Sequence, residues 1–252
     1  MTIQYCSDLH LEFPENEKYL KKNPIQPEGE ILLLAGDVLP FALNHNHYQF
    51  FDFVSDNFEA VYWIPGNHEF YGTDAASINN PLFEKIRSNV FLVNNHTVNY
   101  KDVNIICSTL WSFINPVNEL HIQKCLTDFF AIQYNGKHFS AGDFNSLHQQ
   151  ALLYIKKEIH INSAGKNIVL THHVPTLLNY PPKYKRSSIN EAFVVELFDF
   201  IENSNINYWI YGHHHANVAG FNIGNTKMLT NQLGYVRKHE HASYKKNAII
   251  EI

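Results

Sequence analysis

Five short apolar runs in this sequence each stop on residues that can offer an oxygen or an imidazole nitrogen. "TIQYCS" (2–7) leads into Asp8 and His10, and "EILLLAG" (30–36) into Asp37. "AVYWIPG" (60–66) leads into Asn67, His68 and Glu69. "NIVLTHH" (167–173) closes on His172 and His173, and "NYWIYGH" (207–213) opens the triplet His213, His214, His215. The set holds carboxylates, an amide and imidazoles but no thiolate, which suits first-row metal ions rather than a structural zinc clamp. So many donors over-supply one ion, whereas two ions sharing a carboxylate fit the number.

Spacing sorts the donors. In extended chain, residues i and i+2 point the same way. Asp8 and His10 therefore form a pair, with Leu9 turned into the protein, and His213 and His215 form another, with His214 turned elsewhere. In "THHVP" either His172 or His173 can be the donor. Taken singly, each motif has an ordinary explanation as a polar turn or a capped strand end. Five in order, each closing a buried strand, point to a dinuclear metal site. Sixteen histidines are more than that site uses, and His45, His47, His138, His239 and His241 read as surface residues.

The elements behind these motifs alternate. The five runs are too short for most helices and end abruptly, as strands buried on both faces do. Helical spacing of apolar residues runs through 44–58, 142–161 and 189–203. Shorter strands are expected at 90–93, 97–100, 103–108, 217–222, 226–231 and 247–252, several separated by hairpin-like breaks. "YPPKYKRS" (180–187) reads as a loop by its prolines. The pattern is α/β: two packed mixed sheets with helices outside.

Composition sets the bounds. The chain has 252 residues and shows no composition break, so a single domain over 1–252 is expected, with an insert at about 111–150. A hydrophobic content of 45% supports a large core. The formal net charge is −5, with no block of like charges, so charge gives no case for a nucleic-acid partner. Cys6, Cys107 and Cys125 are too scattered for a disulfide framework, and Cys6 and Cys107 read as buried thiols. No apolar run approaches the roughly 20 residues of a membrane span, and the start lacks a signal-peptide pattern, so a soluble cytoplasmic protein is expected.

The order D-x-H, G-D, G-N-H-E, H, G-H-x-H resembles the calcineurin-like metallophosphoesterase superfamily, from Asp8 to His215. "STLW" (108–111), "TDF" (127–129), "THHVP" and "TNQLGY" (230–235) are similar to a bacterial subgroup of it. The resemblance implies a four-layer αββα sandwich and two metal ions, Mn²⁺ or an Fe/Zn pair. By position, Asp8, His10, Asp37 and His215 would hold one ion. Asp37, Asn67, His172 and His213 would hold the other, His173 lying behind. His68 would be the proton donor. Asp128, His148, Asn231 and His173 are candidates for the substrate pocket by the same likeness. The chemistry agrees: two cations about 3.5–4 Å apart clamp a phosphate and activate a water between them, and Asp37 has two oxygens to share. An imidazole such as His68 can protonate a leaving alkoxide near neutral pH.

Protein phosphatases of that superfamily typically carry G-D-x-x-D-R-G, where this chain has "GDVLPF". Pro40 and Phe41 replace the aspartate and arginine, so the usual support for the catalytic histidine is missing and a phosphoprotein phosphatase is disfavoured. A small-molecule phosphoester is the expected substrate, with a diester favoured over a monoester. The alternatives are a nucleotide pyrophosphohydrolase using the same site and a non-catalytic metal-binding scaffold for protein partners. The aromatic insert is expected to cover the metals or to form its own small core. Lys183, Lys185 and Arg186 could steer an anion toward the site.

Overall fold

The computed structural model describes residues 1–45 and 48–252. The surface position expected of His47 lies outside the described residues. The first sheet takes the strands β1 (Thr2–Cys6), β2 (Ile31–Leu34), β3 (Ala60–Trp63), β4 (Leu82–Lys85), β5 (Val90–Asn94) and β14 (Ile249–Glu251), in the order β14-β1-β2-β3-β5-β4. The second takes β6 (His96–Tyr100), β7 (Val103–Cys107), β10 (Lys166–Leu170), β11 (Tyr208–Ile210), β12 (Phe221–Ile223) and β13 (Thr226–Leu229), in the order β12-β13-β11-β10-β7-β6. Each sheet is a parallel centre with one antiparallel strand at either edge.

Alternation within these short strands makes the layers. In β2, Ile31 and Leu33 point between the sheets, against Ile105, Ile168 and Ile210 of the second sheet. Leu32 and Leu34 point outward, where Phe51 and Val54 of α2 (Gln49–Asn57) and Leu20 of α1 (Pro14–Lys22) cover them. On the far side, Val169 and Trp209 meet Ala151, Ile155 and Ile159 of α5 (Ala141–Ile161) and Ile201 of α6 (Phe198–Glu202). The result is the expected four layers, helix on sheet on sheet on helix. Ser140 starts α5 with a capping box, its hydroxyl accepting from Asp143 N at 3.2 Å while Asp143 accepts from Ser140 N at 3.0 Å.

The segment 111–150 carries α3 (Glu119–Cys125), α4 (Asp128–Ala131) and the small hairpin β8 (Gln133–Tyr134), β9 (Lys137–His138). Its aromatic residues Trp111, Phe129, Phe139 and Phe144 form a separate core with Ile114, Ile122 and Phe70.

Three local expectations change. The helix over 189–203 is reduced to a 3-10 turn, Asn190–Ala192, and α6. Between them Val194 pairs with Val174, Val174 N donating to Phe193 O at 3.1 Å and Val195 N to Val174 O at 3.0 Å. That pairing overrides the helical period and carries the Phe193 ring onto His213, 4.6 Å away. The strand over 217–222 shortens to β12. His138 and His239 are exposed as expected, but His45 and His241 are partly buried. Helix α1 and strand β4 were not anticipated: α1 buries only Asn16 and Leu20, too few apolar positions to show a period. No helix among the described residues is long and apolar enough to cross a membrane.

Leu33 is fully buried at the interface of the two sheets. Leu33→Ala is expected to lower the unfolding free energy by about 2–5 kcal/mol, read from urea denaturation.

Candidate metal centre and active site

The carboxyl ends of β1, β2, β3, β10 and β11 deliver their polar residues to one place. The i and i+2 pairing holds, but not through extended chain. Asp8 (φ 56°), His10 (φ 47°), Asp37 (φ 54°), His213 (φ 80°) and His215 (φ 47°) all have left-handed backbone. Such residues cost free energy and persist only where their surroundings hold them. Here Asp8 N donates to Gly36 O at 3.0 Å, His10 N to Asp37 O at 2.9 Å and His213 N to Asp8 Oδ1 at 3.0 Å. Glu69, fully buried, ties the Asp37 loop: its carboxylate accepts from Asp37 N, Val38 N, Gly66 N and Trp63 Nε1 at 2.7–2.9 Å. Burial and the neighbouring Asp37 push the Glu69 carboxyl up to about 8, while these donors pull it back.

The glycines of G-N and G-H allow close approach to the two carboxylates. A Cβ on Gly66 would lie 2.1 Å from Asp37 Oδ1, and one on Gly212 would lie 2.6 Å from Asp8 Oδ2.

Two groups of donors share Asp37, and a third, of His10, Glu12 and His68, lies beside them. Asp8, His10, Asp37 and His215 converge on one point and Asp37, His172 and His213 on a second, donor atoms within each lying within 4.8 Å of one another. In the first, His10 Nε2 and His215 Nε2 are 3.0 Å apart, and His215 Nε2 is 3.3 Å from Asp8 Oδ1. In the second, His172 Nε2 is 3.0 Å from His213 Nδ1, 3.2 Å from Asn67 Oδ1 and 3.4 Å from Asp37 Oδ1. Three of these imidazoles have their other nitrogen engaged: His10 Nδ1 with Glu12 Oε1 (3.0 Å), His172 Nδ1 with Ala35 O (2.9 Å) and His215 Nδ1 with Glu240 Oε2 (2.7 Å). Orientation of that kind leaves the Nε2 lone pair facing inward, as metal-binding histidines require.

Asp8 and Asp37 are 0% and 2% exposed. Burial alone would raise both carboxyls, but His215 holds Asp8 below the usual range, and His172 and His68 hold Asp37 well below it. The same carboxylates overcome the burial that would lower the imidazoles, taking His172 up to about 10 and His215 up to about 9. His213, beside His173 and His172, is pushed well down by burial. Buried carboxylates facing paired imidazole nitrogens are the donor set two cations fit, and the chemistry of the residues agrees with their number.

His68 stands beside both groups. Its backbone N donates to Asp37 Oδ1 at 3.0 Å, its Nδ1 meets Glu12 Oε1 at 2.9 Å, and its Nε2 is 3.3 Å from Tyr235 Oη. Burial would lower its pKa, but Asp37 and Glu12 raise it overall. The support absent from Pro40 and Phe41 is thus supplied by Glu12. Asp128 lines the cavity and accepts from Asn67 Nδ2 at 2.9 Å, which turns the Asn67 carbonyl oxygen toward His172.

The other three pocket candidates lie elsewhere. His173 is fully buried between Trp111 and His213, with neither ring nitrogen bonded. His148 bonds the Trp111 carbonyl beneath the insert. Asn231 is engaged by Tyr5 O, Lys245 O and Lys245 N. His214 turns to Gln232, whose Nε2 is 3.0 Å from its Nδ1.

The cavity over the site is about 640 Å³. From the insert only Leu126, Thr127 and Asp128 line it. Its aromatic walls come from Phe13, Tyr71, Tyr180, Tyr184, Phe193 and Tyr235, and its cations are Arg237 and Lys238, not Lys183, Lys185 or Arg186. Glu12 was within reach of the sequence, standing two residues past His10 in the same run. Tyr235 closes "TNQLGY", but Arg237, Lys238 and Glu240 carry no local pattern.

A family model described as calcineurin-like phosphoesterase matches residues 1–217. The chain belongs to the calcineurin-like phosphoesterase family. Membership and the two donor groups make it a metal-dependent phosphoesterase in general terms. It is 32% identical over 278 residues to an uncharacterized protein of Acanthamoeba polyphaga mimivirus, covering 99% of this chain and 96% of that one. Its fold is similar to the phosphopantetheinyl hydrolase of Mycobacterium tuberculosis, with TM-score 0.70 and 17% identity over 99% of this chain and 95% of that one. A Thermus thermophilus protein matches with TM-score 0.50 and 15% identity over 92% of this chain and 88% of that one.

Asp37 is the one residue common to both donor groups. Asp37→Asn is expected to lower the Mn²⁺ retained after gel filtration from about two ions per chain to below one, read by elemental analysis, and to abolish the rise in Tm that Mn²⁺ gives the unaltered protein. Retention of both ions by Asp37→Asn would disprove the shared position.

Proposed function

We propose that this phosphoesterase hydrolyses a small-molecule phosphodiester, with Asp8, His10, Asp37 and His215 holding one cation and Asp37, Asn67, His172 and His213 the other. Bound there, the cations supply Lewis acidity to the phosphate and to the attacking water. Mn²⁺ or an Fe/Zn pair suits the oxygen and nitrogen donors. The observation that carries the diester reading is the shape of the cavity, which has aromatic walls on both flanks of the donor groups. On one, the Phe193 ring lies 4.6 Å from His213 and Tyr180 5.6 Å from His214. On the other, Tyr235 lies 4.5 Å from His215 and Phe13 5.8 Å from His10. A diester has two substituents to place, and a monoester only one.

His68 is the proton donor in this reading. Glu12 accepts from His68 Nδ1 and, with Asp37, favours the imidazolium, whose Nε2–H serves the leaving oxygen, while Tyr71 stacks on the ring at 4.2 Å and fixes its plane. Water attacks phosphorus and gives up a proton to solvent, the bond from phosphorus to the leaving oxygen breaks, and that oxygen takes the proton held at His68 Nε2, which solvent then restores. Asp128 acts earlier, holding the Asn67 amide with its oxygen turned in. Asn67 adds an oxygen without charge, which keeps the centre cationic toward a phosphate.

Metal-stripped protein reconstituted with Mn²⁺ is expected to cleave bis(p-nitrophenyl) phosphate faster than p-nitrophenyl phosphate. A faster monoester reaction would overturn the diester assignment. His68→Ala is expected to keep its metal but to lose about 10²–10⁴-fold in kcat on an alkyl diester, and much less on a p-nitrophenyl ester, whose leaving oxygen needs little protonation. Equal losses on both would remove His68 from the proton-donor role.

A further inference from the structure

We propose that Arg237 and Lys238 form a binding site for a second anionic group, carried by the leaving portion of the substrate. The inference rests on the diester reading and names its substrate class: phosphodiesters whose departing alcohol bears a carboxylate or another phosphate.

His68 marks the side on which the alcohol departs. Beyond His68 Nε2 stands Tyr235 Oη, 3.3 Å away. The Arg237 guanidinium lies over Phe13 at 5.3 Å and beside Tyr235 at 5.9 Å, and Lys238 Nζ lies over the other part of that flank, 4.8 Å from the Tyr235 ring. Both rings pack directly on His10, so the two cations are one aromatic ring removed from the metal donors.

Neither charge is held in a direct ion pair, although Lys238 acts at longer range on Glu240. Among the described residues, Lys21, Arg87 and Lys101 each have a carboxylate partner, but no ion pair involves Arg237 or Lys238. The nearby acid, Glu240, has its Oε2 occupied by His215 Nδ1 at 2.7 Å and Tyr235 N at 2.8 Å. Both side chains are exposed at the cavity rim. A guanidinium held near two rings, with no carboxylate paired to it, keeps N–H donors that are matched to a carboxylate or phosphate.

The backbone fixes where they point. They sit on the 3-10 turn Val236–Lys238, held by Val236 N donating to Asn16 Oδ1 at 3.1 Å and Lys238 N to Tyr235 O at 2.9 Å. The opposite flank is different: Tyr180, Tyr184, Ile189 and Phe193 line it, and Lys183, over the outer Tyr184 ring at 4.5 Å, is not among the residues lining the cavity. Among the described residues the cations of the cavity lining itself therefore stand on the leaving side.

The test compares methyl 4-nitrophenyl phosphate with methyl 3-carboxy-4-nitrophenyl phosphate, whose leaving groups differ by one carboxylate. The Mn²⁺-loaded protein is expected to favour the carboxylated ester by about tenfold in kcat/KM, and the double variant Arg237→Ala/Lys238→Ala to bring that ratio within about twofold of one. A ratio at or below one in the unaltered protein, or a ratio the variant does not change, overturns the site. Absence of turnover on both esters would strike the diester reading alone. The anion site is then decided by calorimetric binding of 5-hydroxy-2-nitrobenzoate, which the double variant must weaken by at least about fivefold. Undiminished binding overturns it.

Discussion

Two carboxylates, Asp8 and Asp37, are buried where the two sheets meet at their carboxyl ends, and the rest of the site is arranged to tolerate their charge. An isolated buried carboxylate is costly enough that it ordinarily takes up a proton instead. Here imidazoles and backbone N–H groups surround both, and each carboxyl is held below its usual range. The compensation is paid in backbone conformation. Asp8, His10, Asp37, His213 and His215 all take left-handed φ, so that side chains from separate strands meet at one point. A strand alone would keep each i, i+2 pair on one face of its own sheet. The left-handed turns after β1, β2 and β11 bring residues from separate strands together, and Glu69 and the Gly36 carbonyl hold the turns at Asp37 and Asp8.

That requirement explains why the strands are short and their register strict. Tyr5, Leu33 and Tyr62 share one face of the first sheet, and Ile105, Ile168 and Ile210 answer from the second. A slip of one residue in β2 would turn Leu33 outward and Leu32 inward, and would also carry Asp37 away from His10. Core packing and ligand placement are therefore the same constraint read at two positions along each strand.

Much of this was legible in the sequence because the signals were local. The five buried strands are mostly apolar runs, and the candidate ligands follow each within five residues. The two-sheet architecture followed from the same runs. What escaped depends on contacts between distant segments. The helical period over 189–203 is real, yet a backbone pairing between Val194 and Val174 outweighs it, and Phe193 reaches His213 as a result. The pairing of Asp8 with His10 was foreseen from extended geometry but is made by left-handed residues, a conformation these residue types do not announce. Arg237 and Lys238 were invisible as site residues because they fall just past the "TNQLGY" motif and belong to no pattern of their own. They reach the cavity because Asn16, on α1, anchors the turn that bears them.

The placement of Glu12 shows how chemistry and chain address separate. A histidine whose Nδ1–H is held by an acceptor can donate through Nε2 only as the imidazolium, and a carboxylate at Nδ1 favours that charged form. The G-D loop gives this chain no such acceptor, since Pro40 lines the cavity and Phe41 packs on Phe70 and Trp63. Glu12, past the end of β1, reaches His68 from another side and touches His10 with the same oxygen. One carboxylate oxygen therefore orients both His68, the proposed proton donor, and His10, a proposed metal ligand. Such sharing couples the two: a change that moves Glu12 disturbs metal affinity and proton transfer at once, whereas a partner on the G-D loop would leave His10 untouched. The physical need is for a carboxylate at that nitrogen, and any segment the fold brings there can meet it.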